Sequence, residues 1–268
     1  MTPTLFVLGS GSRGNCFAIQ YDGAVLLIDA GFSCREIERR AEMVGLSLTD
    51  VLGLVLTHEH GDHAGGAPRL LRKLALPILS SDGTWRSIRA QLPDGTRHHS
   101  VGLRETVEIG PFRIDACPIS HDATEPVAVL VRAGGAVIGI AYDLGRSTTA
   151  VRYLLRECTA LILEANHDDV RLRTSGYPPV VQQRIAGSGG HLSNRAAAEM
   201  IGGLIHPGLE MVILAHLSER CNSEACARAE IEPVLKKARW RGTLHVARQD
   251  EPLAPLLLPR PMVLSFEF

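Results

Sequence analysis

The sequence lacks a large charge of either sign and any long apolar run. Its 28 Lys and Arg residues nearly balance 29 Asp and Glu residues, which leaves a net charge of −1. A chain of this charge does not attract nucleic acid or a membrane over its whole surface, so an anionic ligand must be attracted locally. No apolar run approaches the roughly 20 residues of a membrane span. The N-terminal stretch also lacks the basic and apolar regions of a signal peptide. These absences predict a cytoplasmic protein that does not bind membranes.

The six cysteines lack any pairing pattern. They are scattered from Cys16 to Cys226 without a CxxC pair, so we interpret them as free thiols in the core or in loops, as in a reducing compartment. Linkers, low-complexity tracts and internal repeats are absent as well. A chain of 268 residues with an ordinary globular composition therefore predicts a single domain over residues 1–268.

Short apolar runs separated by Gly-rich turns predict many strands, and amphipathic segments between them predict helices. The predicted strands span residues 5–9, 16–21, 24–30, 51–57, 105–110, 112–120, 127–132, 136–142, 159–165, 210–216 and 263–268. The predicted helices span residues 33–45, 67–75, 84–92, 148–158, 193–205 and 222–238. Strands followed by helices occur in both halves of the chain, which predicts an α/β fold with two sheets face to face and helices outside.

The segment LVLTHEHGDHAGG (54–66) places four metal-binding side chains directly after a predicted strand. His58, His60, Asp62 and His63 supply imidazole nitrogens and a carboxylate, the donors that Zn and Mn bind. Burying such groups without a partner costs several kcal/mol each, roughly, and a bound cation removes that cost. Four donors from one loop are more than one ion with an open position needs, so the pattern favours two ions, about 3.5–4 Å apart.

Three further ligand candidates each follow a predicted strand. His121 follows FRIDACPIS, Asp143 follows AVIGIAY and His216 follows EMVILA. Strand ends are where α/β folds place their sites. A two-metal site needs one more histidine for each ion and a bridging carboxylate, and these three residues provide that set.

The order HxHxDH, His, Asp, His resembles the metallo-β-lactamase superfamily, and the resemblance covers nearly the whole chain. It implies an αββα sandwich of two mixed β-sheets with helices on both outer faces, and two divalent ions, Zn or Mn. It also implies that Asp29 orients the histidine loop from a neighbouring strand end. The implied ligands of one ion are His58, His60 and His121, those of the other are Asp62, His63 and His216, and Asp143 bridges the two.

Three later stretches resemble the nucleic-acid-processing branch of that superfamily: LEANHDD (163–169), GHLSN (190–194) and AHLSERCN (215–222). The resemblance implies that Glu164 pairs with His191, which protonates the leaving oxygen, and that Asp62 orients the attacking water.

Further strings, such as GSGSRGN (9–15), SHDATEP (120–126) and YPPVVQQRI (177–185), are similar to the YycJ/WalJ group of 5′→3′ DNA exonucleases. Two positions depart from that group. In AHLSERCN the group usually has two consecutive Asn residues, of which only Asn222 is present here. Directly before Asp143, Tyr142 stands where the group more often has Thr.

Substrate contacts are expected outside the metal ligands, and these candidates are Ser10, Ser12, Asn15, Arg184, Asn194 and Ser218. Arg184 belongs to a group of arginines, with Arg171, Arg173 and Arg195, in a Gly- and Pro-rich segment. Arginine suits phosphate through its planar fork. Loop 9–14 either offers backbone N–H groups to a phosphate or merely connects two strands. Counting only Asp62 and Asp143 against two ions gives a filled pocket of about +2.

Several alternatives remain open from the sequence alone. An RNA-processing enzyme differs from a DNase by contacts to the 2′-OH, which no pattern here identifies. A thioester or other small-molecule hydrolase on the same fold would not need the Glu164–His191 pair. A non-catalytic binding module would be expected to lose ligands, whereas all seven are present. The oligomeric state is left undetermined.

Overall fold

The computed structural model describes residues 1–103 and 105–258, so the strand expected over 263–268 lies outside the described residues. Fourteen strands are assigned within the described part of the chain. They are β1 (Thr4–Gly9), β2 (Cys16–Tyr21), β3 (Ala24–Ile28), β4 (Val51–Val55), β5 (Ile78–Ser80), β6 (His98–Ser100), β7 (Val107–Ile109), β8 (Phe112–Pro118), β9 (Val127–Ala133), β10 (Ala136–Ala141), β11 (Ala160–Glu164), β12 (Met211–Ala215), β13 (Thr243–Val246) and β14 (Leu256–Leu257).

Helices occupy the segments between many of these strands. They are α1 (Cys34–Met43), α2 (Gly61–Ala64), α3 (Ala67–Leu74), α4 (Asp82–Ile88), α5 (Thr149–Leu155), α6 (Asp169–Arg173), α7 (Pro179–Ala186), α8 (Asn194–Gly202) and α9 (Glu224–Lys237). A short 3-10 helix, Arg89–Gln91, extends α4. Among the helices of the described residues, none is long and apolar enough to cross a membrane.

The strands form two seven-stranded mixed sheets. Their orders are β14-β1-β2-β3-β4-β5-β6 and β13-β12-β11-β10-β9-β8-β7. In each sheet one part is antiparallel, as in β1-β2-β3 and β8-β9-β10, and the other part is parallel, as in β3-β4-β5 and β10-β11-β12. This arrangement confirms the expected α/β sandwich of two mixed sheets.

Alternating side chains explain why the sheets stack face to face. Leu5 and Val7 of β1 point into a core shared with strands of the other sheet, whereas Phe6 and Leu8 point outward to a core that contains residues of α1 and α3. Successive side chains of a strand lie on opposite faces, so a strand that is apolar throughout is covered on both sides. A third core covers the outer face of the second sheet with residues of α5, α8 and α9.

The state of the cysteines agrees with the prediction from the sequence, whereas several short elements differ from it. All six cysteines are free thiols, and four of them are buried, as expected. The strands β5, β6, β13 and β14 and the helices α2 and α6 lie outside the predicted set, because each has two to five residues and too few turns or alternations to show a period. The helix α7 lies outside it as well, because Pro178 and Pro179 at its start favour a turn. The predicted helix over 84–92 is α4 followed by the 3-10 turn.

Candidate metal centre

The candidate site lies where strands of both sheets end at one edge of the sandwich. Asp29 follows β3, Asp143 follows β10 and His216 follows β12, and all three adopt left-handed backbone conformations with φ of 57°, 58° and 52°. Non-glycine residues rarely adopt this conformation, and it recurs at functional sites held by their surroundings. The turn lets each side chain leave its strand toward the space between the two sheets.

The histidine loop, residues 58–63, follows β4 and runs into α2, and backbone contacts to two other loops fix it. The carbonyl of Asp62 accepts hydrogen bonds from the backbone N–H of Asn15 at 2.8 Å and from its side-chain amide at 3.2 Å. The N–H of Ala30 donates to the carbonyl of His63 at 2.7 Å. Gly31 packs so closely on the Asp62 carbonyl that a Cβ there would overlap it. The loop is therefore held rigidly, with its side chains directed to the sheet edge.

Two groups of donors form beside this loop. The ligand atoms of His58, His60 and His121 lie within 4.8 Å of one another, and those of Asp62, His63 and His216 form a second such group. In the first group, Nε2 of His121 lies 3.2 Å from Nδ1 of His60. In the second, Oδ2 of Asp62 lies 3.2 Å from Nε2 of His216 and 3.4 Å from Nε2 of His63.

Asp143 lies between the two groups. Its Oδ2 is 2.9 Å from Nε2 of His63 and 3.9 Å from Nε2 of His58. Its Oδ1 is 3.7 Å from Nε2 of His121 and 3.6 Å from Nδ1 of His216. Through its two oxygens, Asp143 thus lies near histidines of both groups. This is the position that a bridging ligand needs.

An unpaired buried nitrogen shows that this donor set fits metal ions. Nε2 of His58 is fully buried and has no hydrogen-bond partner within the described residues. Buried polar atoms are nearly always paired, and an unpaired one calls for an ion or water. Imidazole nitrogens and carboxylate oxygens are the donors that Zn²⁺ and Mn²⁺ accept. The chain therefore supplies both the chemistry and the unmet need for divalent cations.

Asp29 lies behind the histidine loop and contacts one of its rings. Its Oδ2 is 2.7 Å from Nδ1 of His63, the nitrogen that faces away from Asp143. The same carboxylate accepts hydrogen bonds from the backbone N–H of Thr57 at 2.9 Å, the Thr57 hydroxyl at 2.8 Å and the Tyr142 hydroxyl at 2.6 Å. A carboxylate in this position fixes the tautomer and orientation of a metal-binding histidine. The Tyr142 contact was not foreseen.

The electrostatics of the cluster hold protons where cations would bind. Burial lowers the pKa of His63, but Asp143 and Asp29 outweigh it and keep that pKa well above its usual value. Burial also lowers the pKa of His216, and Asp143, Asp62 and Glu164 raise it to about 10. Burial and the neighbouring His63 hold the pKa of His58 well below its usual value. Protons on His63 and His216 thus partly neutralise the carboxylates, and a metal ion must displace them.

Glu164 and His191 form a pair at the edge of the cluster. Oε1 of Glu164 lies 2.7 Å from Nδ1 of His191, and its Oε2 accepts hydrogen bonds from the backbone N–H of Leu144 and Leu192 at 2.8 and 3.1 Å. Burial lowers the pKa of His191, but Glu164 outweighs it and raises that pKa above its usual value. His191 borders the cavity over the cluster, so an imidazole with a raised pKa lies beside any ligand bound there.

Three of the expected substrate contacts are buried, and their polar groups are paired within the protein. Ser10 accepts a hydrogen bond from the His216 N–H at 2.8 Å and donates to Asn15 at 2.7 Å. Asn15 is fully buried and holds the histidine loop. Asn194 is buried and exchanges two side-chain hydrogen bonds, of 2.9 and 2.8 Å, with Asn222. These residues position the site from within the protein, because their polar groups are occupied there.

The Gly-Ser loop 9–14 connects two strands and does not present a row of free N–H groups. The structure gives protein acceptors to the N–H groups of Ser10, Gly11, Arg13 and Gly14, two of them on Arg248 and Gln249. Of the two interpretations left open from the sequence, these contacts favour the strand connection over a phosphate cradle.

The remaining candidates divide between two cavities. Ser12 and Arg184 line a cavity of about 320 Å³ above the metal cluster. Ser218 lines a neighbouring cavity of about 440 Å³, where its hydroxyl accepts a hydrogen bond from the N–H of Cys221. Of the four arginines in the segment 171–195, only Arg184 lines the cavity above the cluster. Arg171 instead donates to the carbonyl of Asn222 at 3.0 Å.

Several site residues escaped the sequence analysis. Asp122 lies with one oxygen 3.4 Å from Nε2 of His121 and the other 2.8 Å from Arg184. Tyr177, Val181 and Ile185 line the same cavity. Asp122 directly follows a predicted ligand, and the other three lie in the YPPVVQQRI string. Their positions could have indicated a place at the site. The spacing of these residues matches no metal-binding or acid-base motif, so the sequence did not single them out.

The additional carboxylates change the expected charge of the site. Asp29, Asp122 and Glu164 all contact ring nitrogens of the cluster, besides Asp62 and Asp143. Two divalent ions would nearly balance these five carboxylates, so the filled centre does not reach the +2 expected from two carboxylates alone. The positive charge beside the cavity then comes from His191 and Arg184, so these two side chains would attract an anionic ligand.

Comparison with known proteins adds a family and a fold. Residues 9–157 match the model of the metallo-beta-lactamase superfamily. The chain is 32% identical to exodeoxyribonuclease YycJ of Bacillus anthracis, over 86% of this chain and 88% of that protein. It is 28% identical to exodeoxyribonuclease WalJ of Streptococcus pneumoniae, over 87% of this chain and 88% of that protein. The crystal structure of YhfI from Bacillus subtilis, a metallo-beta-lactamase fold protein, covers 94% of this chain and 99% of its own with a TM-score of 0.72, and at 18% identity it indicates the fold alone.

Proposed function

The chain belongs to the metallo-β-lactamase superfamily, and on that premise we propose that it is a metal-dependent phosphodiesterase that degrades DNA as a 5′→3′ exonuclease. The observation that carries this proposal is the pair of Glu164 and His191, at 2.7 Å, beside the metal cluster. Cleavage of a phosphodiester needs a proton for the leaving 3′-oxygen, and an imidazole held protonated by a carboxylate supplies it. The similarity to two exodeoxyribonucleases over most of the chain supports DNA as the substrate.

The seven proposed ligands would hold two divalent ions, Zn or Mn, in the two groups described above. Such ions lower the pKa of water toward 7, roughly, and neutralise charge on phosphate oxygens. Asp62 contributes through its own carboxylate. Burial raises the pKa of Asp62, but His216 and His63 outweigh it and hold that pKa far below its usual value. The side chain therefore stays ionised and can accept a hydrogen bond from the attacking water, which orients it.

Arg184 and Ser12 are proposed to contact the phosphate. Arg184 is exposed along much of its length and is held toward the cavity by Asp122, with Nε–Oδ2 and Nη2–Oδ2 distances of 2.9 and 2.8 Å. Its guanidinium presents several donors in a plane, which suits phosphate oxygens. An anionic substrate can compete with Asp122 for these donors without moving the helix that carries Arg184.

The experiment is digestion of labelled nucleic acids by the metal-loaded protein and by His191→Ala. Single- and double-stranded DNA and RNA carry a label at either the 5′ or the 3′ end, with Mn²⁺ added. We expect stepwise release from the 5′ end of DNA. His191→Ala should keep its metal content and lose at least about 10²-fold in kcat. Because the proposal depends on general-acid catalysis by His191, an unchanged kcat in this variant would overturn it.

Other outcomes of the same experiment identify the alternatives. Faster cleavage of RNA than of DNA would make the protein an RNA-processing enzyme, in which a contact to the 2′-OH decides the substrate. Hydrolysis of thioesters with no nucleic-acid cleavage would assign it to small-molecule metallohydrolases. The DNA proposal fails in either case, even if the metal cluster is as described.

A further inference from the structure

The helix α7 forms an apolar wall beside the metal cluster that the proposed chemistry does not use. Its residues Val181 and Ile185 line the 320 Å³ cavity, together with Tyr177, which precedes the helix. None of the eight residues of α7 is buried, and the neighbouring Val180 is 70% exposed. Apolar side chains grouped at the rim of a polar site are covered by a ligand more often than by solvent.

Tyr177 is held in place by contacts on its backbone and on its ring. The Gln182 side-chain amide donates to the Tyr177 carbonyl at 2.8 Å, and the Tyr177 N–H donates to the Ser175 hydroxyl at 3.2 Å. The guanidinium of Arg220 lies over the ring, 4.5 Å from its centroid. A ring that is positioned in advance loses little conformational freedom when a flat ligand stacks against the same assembly.

The apolar wall and the charged groups of the site line the same cavity. His191 and Asp143 line it together with Arg184, which belongs to α7 as Val181 and Ile185 do. A ligand that fits this lining carries an anionic group for His191 and Arg184, and a flat apolar group for Tyr177. A nucleotide has this shape, since every base offers a stacking face whatever its sequence.

We infer that Tyr177, Val181 and Ile185 form a nucleobase subsite that binds a base at the 5′ end of the strand during cleavage. This inference rests on the proposed DNA exonuclease activity and extends it from the phosphate to the base. The subsite is sequence-tolerant, because stacking and apolar contact do not read base edges. It explains why the segment 177–185 combines aromatic and aliphatic side chains with one arginine next to a metal centre.

The test compares Tyr177→Ala on two DNA strands. One is an ordinary single strand, and the other is identical except that its two 5′-terminal nucleotides lack bases. We expect the variant to lose about tenfold or more in kcat/KM on the ordinary strand, mainly through KM. On the abasic strand, wild type should already be slower by a similar factor, and the variant should add less than about a twofold loss. Equal losses on both strands, or no loss on either, would overturn the subsite.

Three further variants keep the result interpretable. Tyr177→Phe retains the ring and should restore most of the activity, whereas Tyr177→Leu retains bulk without the ring and should not. The matched control is Tyr153→Ala on α5. Tyr153 is exposed, whereas Tyr177 is half-buried. Like Tyr177 it carries an arginine over its ring, Arg156 at 3.6 Å, but it lies outside the metal cavity. Tyr153→Ala should leave kcat/KM unchanged on both strands. A fall in kcat/KM equal to that of Tyr177→Ala would contradict a specific role for Tyr177.

Failure of the subsite and failure of the proposed function give different results. If wild type cleaves neither strand, the exonuclease proposal is wrong. If wild type cleaves both strands at the same rate, and Tyr177→Ala does the same with unchanged metal content, the enzyme is an exonuclease without this subsite. Thermal unfolding of each variant excludes loss of folding as the cause, and Tyr177→Leu decides the matter if Tyr177→Ala is unstable.

Discussion

At the scale of single residues, Asp29 shows how a fully buried carboxylate acts on a site without touching its ligand-binding face. It contacts the rear nitrogen of His63 at 2.7 Å and receives hydrogen bonds from Thr57 and Tyr142. Its neighbours were not predictable from the sequence, because Tyr142 and Thr57 come from strands of different sheets. The position of Asp29 after a strand was predictable from the sequence, and the family resemblance implied its orientation toward the histidine loop.

Replacing Asp29 by alanine should weaken metal binding while leaving every proposed ligand in the chain. We expect about a 10- to 100-fold rise in the metal Kd, since the ring of His63 loses the group that orients it. Competition with a chromophoric chelator measures the change. Tyr142→Phe is the control, because it removes one hydrogen bond to Asp29 and keeps the ring packed, and it should cost less than Asp29→Ala. An Asp29→Ala protein with wild-type affinity would show that the contact is structural only.

Glu164→Gln should change the pH dependence of cleavage. Glu164 raises the pKa of His191 against the effect of burial, so the proton needed by the leaving group is lost only as pH rises through that raised pKa. The amide keeps the shape of the side chain but not its charge, and we expect the basic limb of the kcat–pH profile to move to lower pH. Metal content must be measured in parallel, because Glu164 also lies 3.2 Å from His216. An unmoved basic limb argues against His191 as the acid.

Metal binding should release protons. In the metal-free protein the carboxylates hold His63 and His216 protonated at pH 7, as the raised pKa values of both residues indicate, and a metal binds only the neutral imidazole. We expect release of about two protons per protein on loading, and weaker binding as pH falls. Calorimetric titration in buffers of different ionisation enthalpy measures this number. A value near zero would mean that these two histidines do not become ligands.

At the scale of elements, the long strands and helices were predicted well, and the short ones were missed. The strands β1, β2 and β9 lie within one residue of the predicted bounds. The helix α7 was missed because Tyr177-Pro178-Pro179 reads as a turn, although proline is well suited to the first positions of a helix. The positions of the proposed metal ligands beside one another were predictable, because strand ends and residue types coincide. The burial of Ser10, Asn15 and Asn194 was not, since it depends on which loops pack together.

Packing of the histidine loop against its neighbours gives opposite expectations for two glycines. Gly31→Ala should displace the loop, because the added Cβ overlaps the Asp62 carbonyl, and we expect both metal content and thermal stability to fall. Gly61→Ala should be tolerated although Gly61 lies inside the histidine motif, because no atom beyond its chain neighbours and the backbone of its own helix lies within 4 Å of its Cβ position and alanine favours helix α2. Metal analysis and thermal unfolding of the two variants make the comparison. Equal behaviour of the two would contradict the proposed packing of the loop.

At the scale of the whole molecule, the proposed metal centre joins the two sheets. His58, His60, Asp62 and His63 follow β4 of the first sheet, whereas His121, Asp143 and His216 follow β8, β10 and β12 of the second. The two-sheet architecture was predictable from the repeated order of strands and helices. Which strands form the edges was not, because β6, β13 and β14 have only two to four residues.

Removing metal should therefore destabilise the entire fold rather than one loop. A ligand bound only by the native state adds about 4 kcal/mol when its free concentration is 1,000 times its Kd. We expect the chelated protein to unfold at a lower temperature than the loaded protein, with a single transition in both, and Asp143→Ala to abolish most of the difference. Equal unfolding temperatures with and without chelator would mean that the ions do not connect the sheets.

The most direct test of the metal centre is anomalous X-ray diffraction from crystals of the protein loaded with Zn²⁺ or Mn²⁺. Two anomalous peaks are expected between the sheets, one among His58, His60 and His121 and the other among Asp62, His63 and His216, with Asp143 contacting both. A single peak, no peak, or Asp143 and His216 directed away from the peaks would contradict the dinuclear centre from which the proposed chemistry follows.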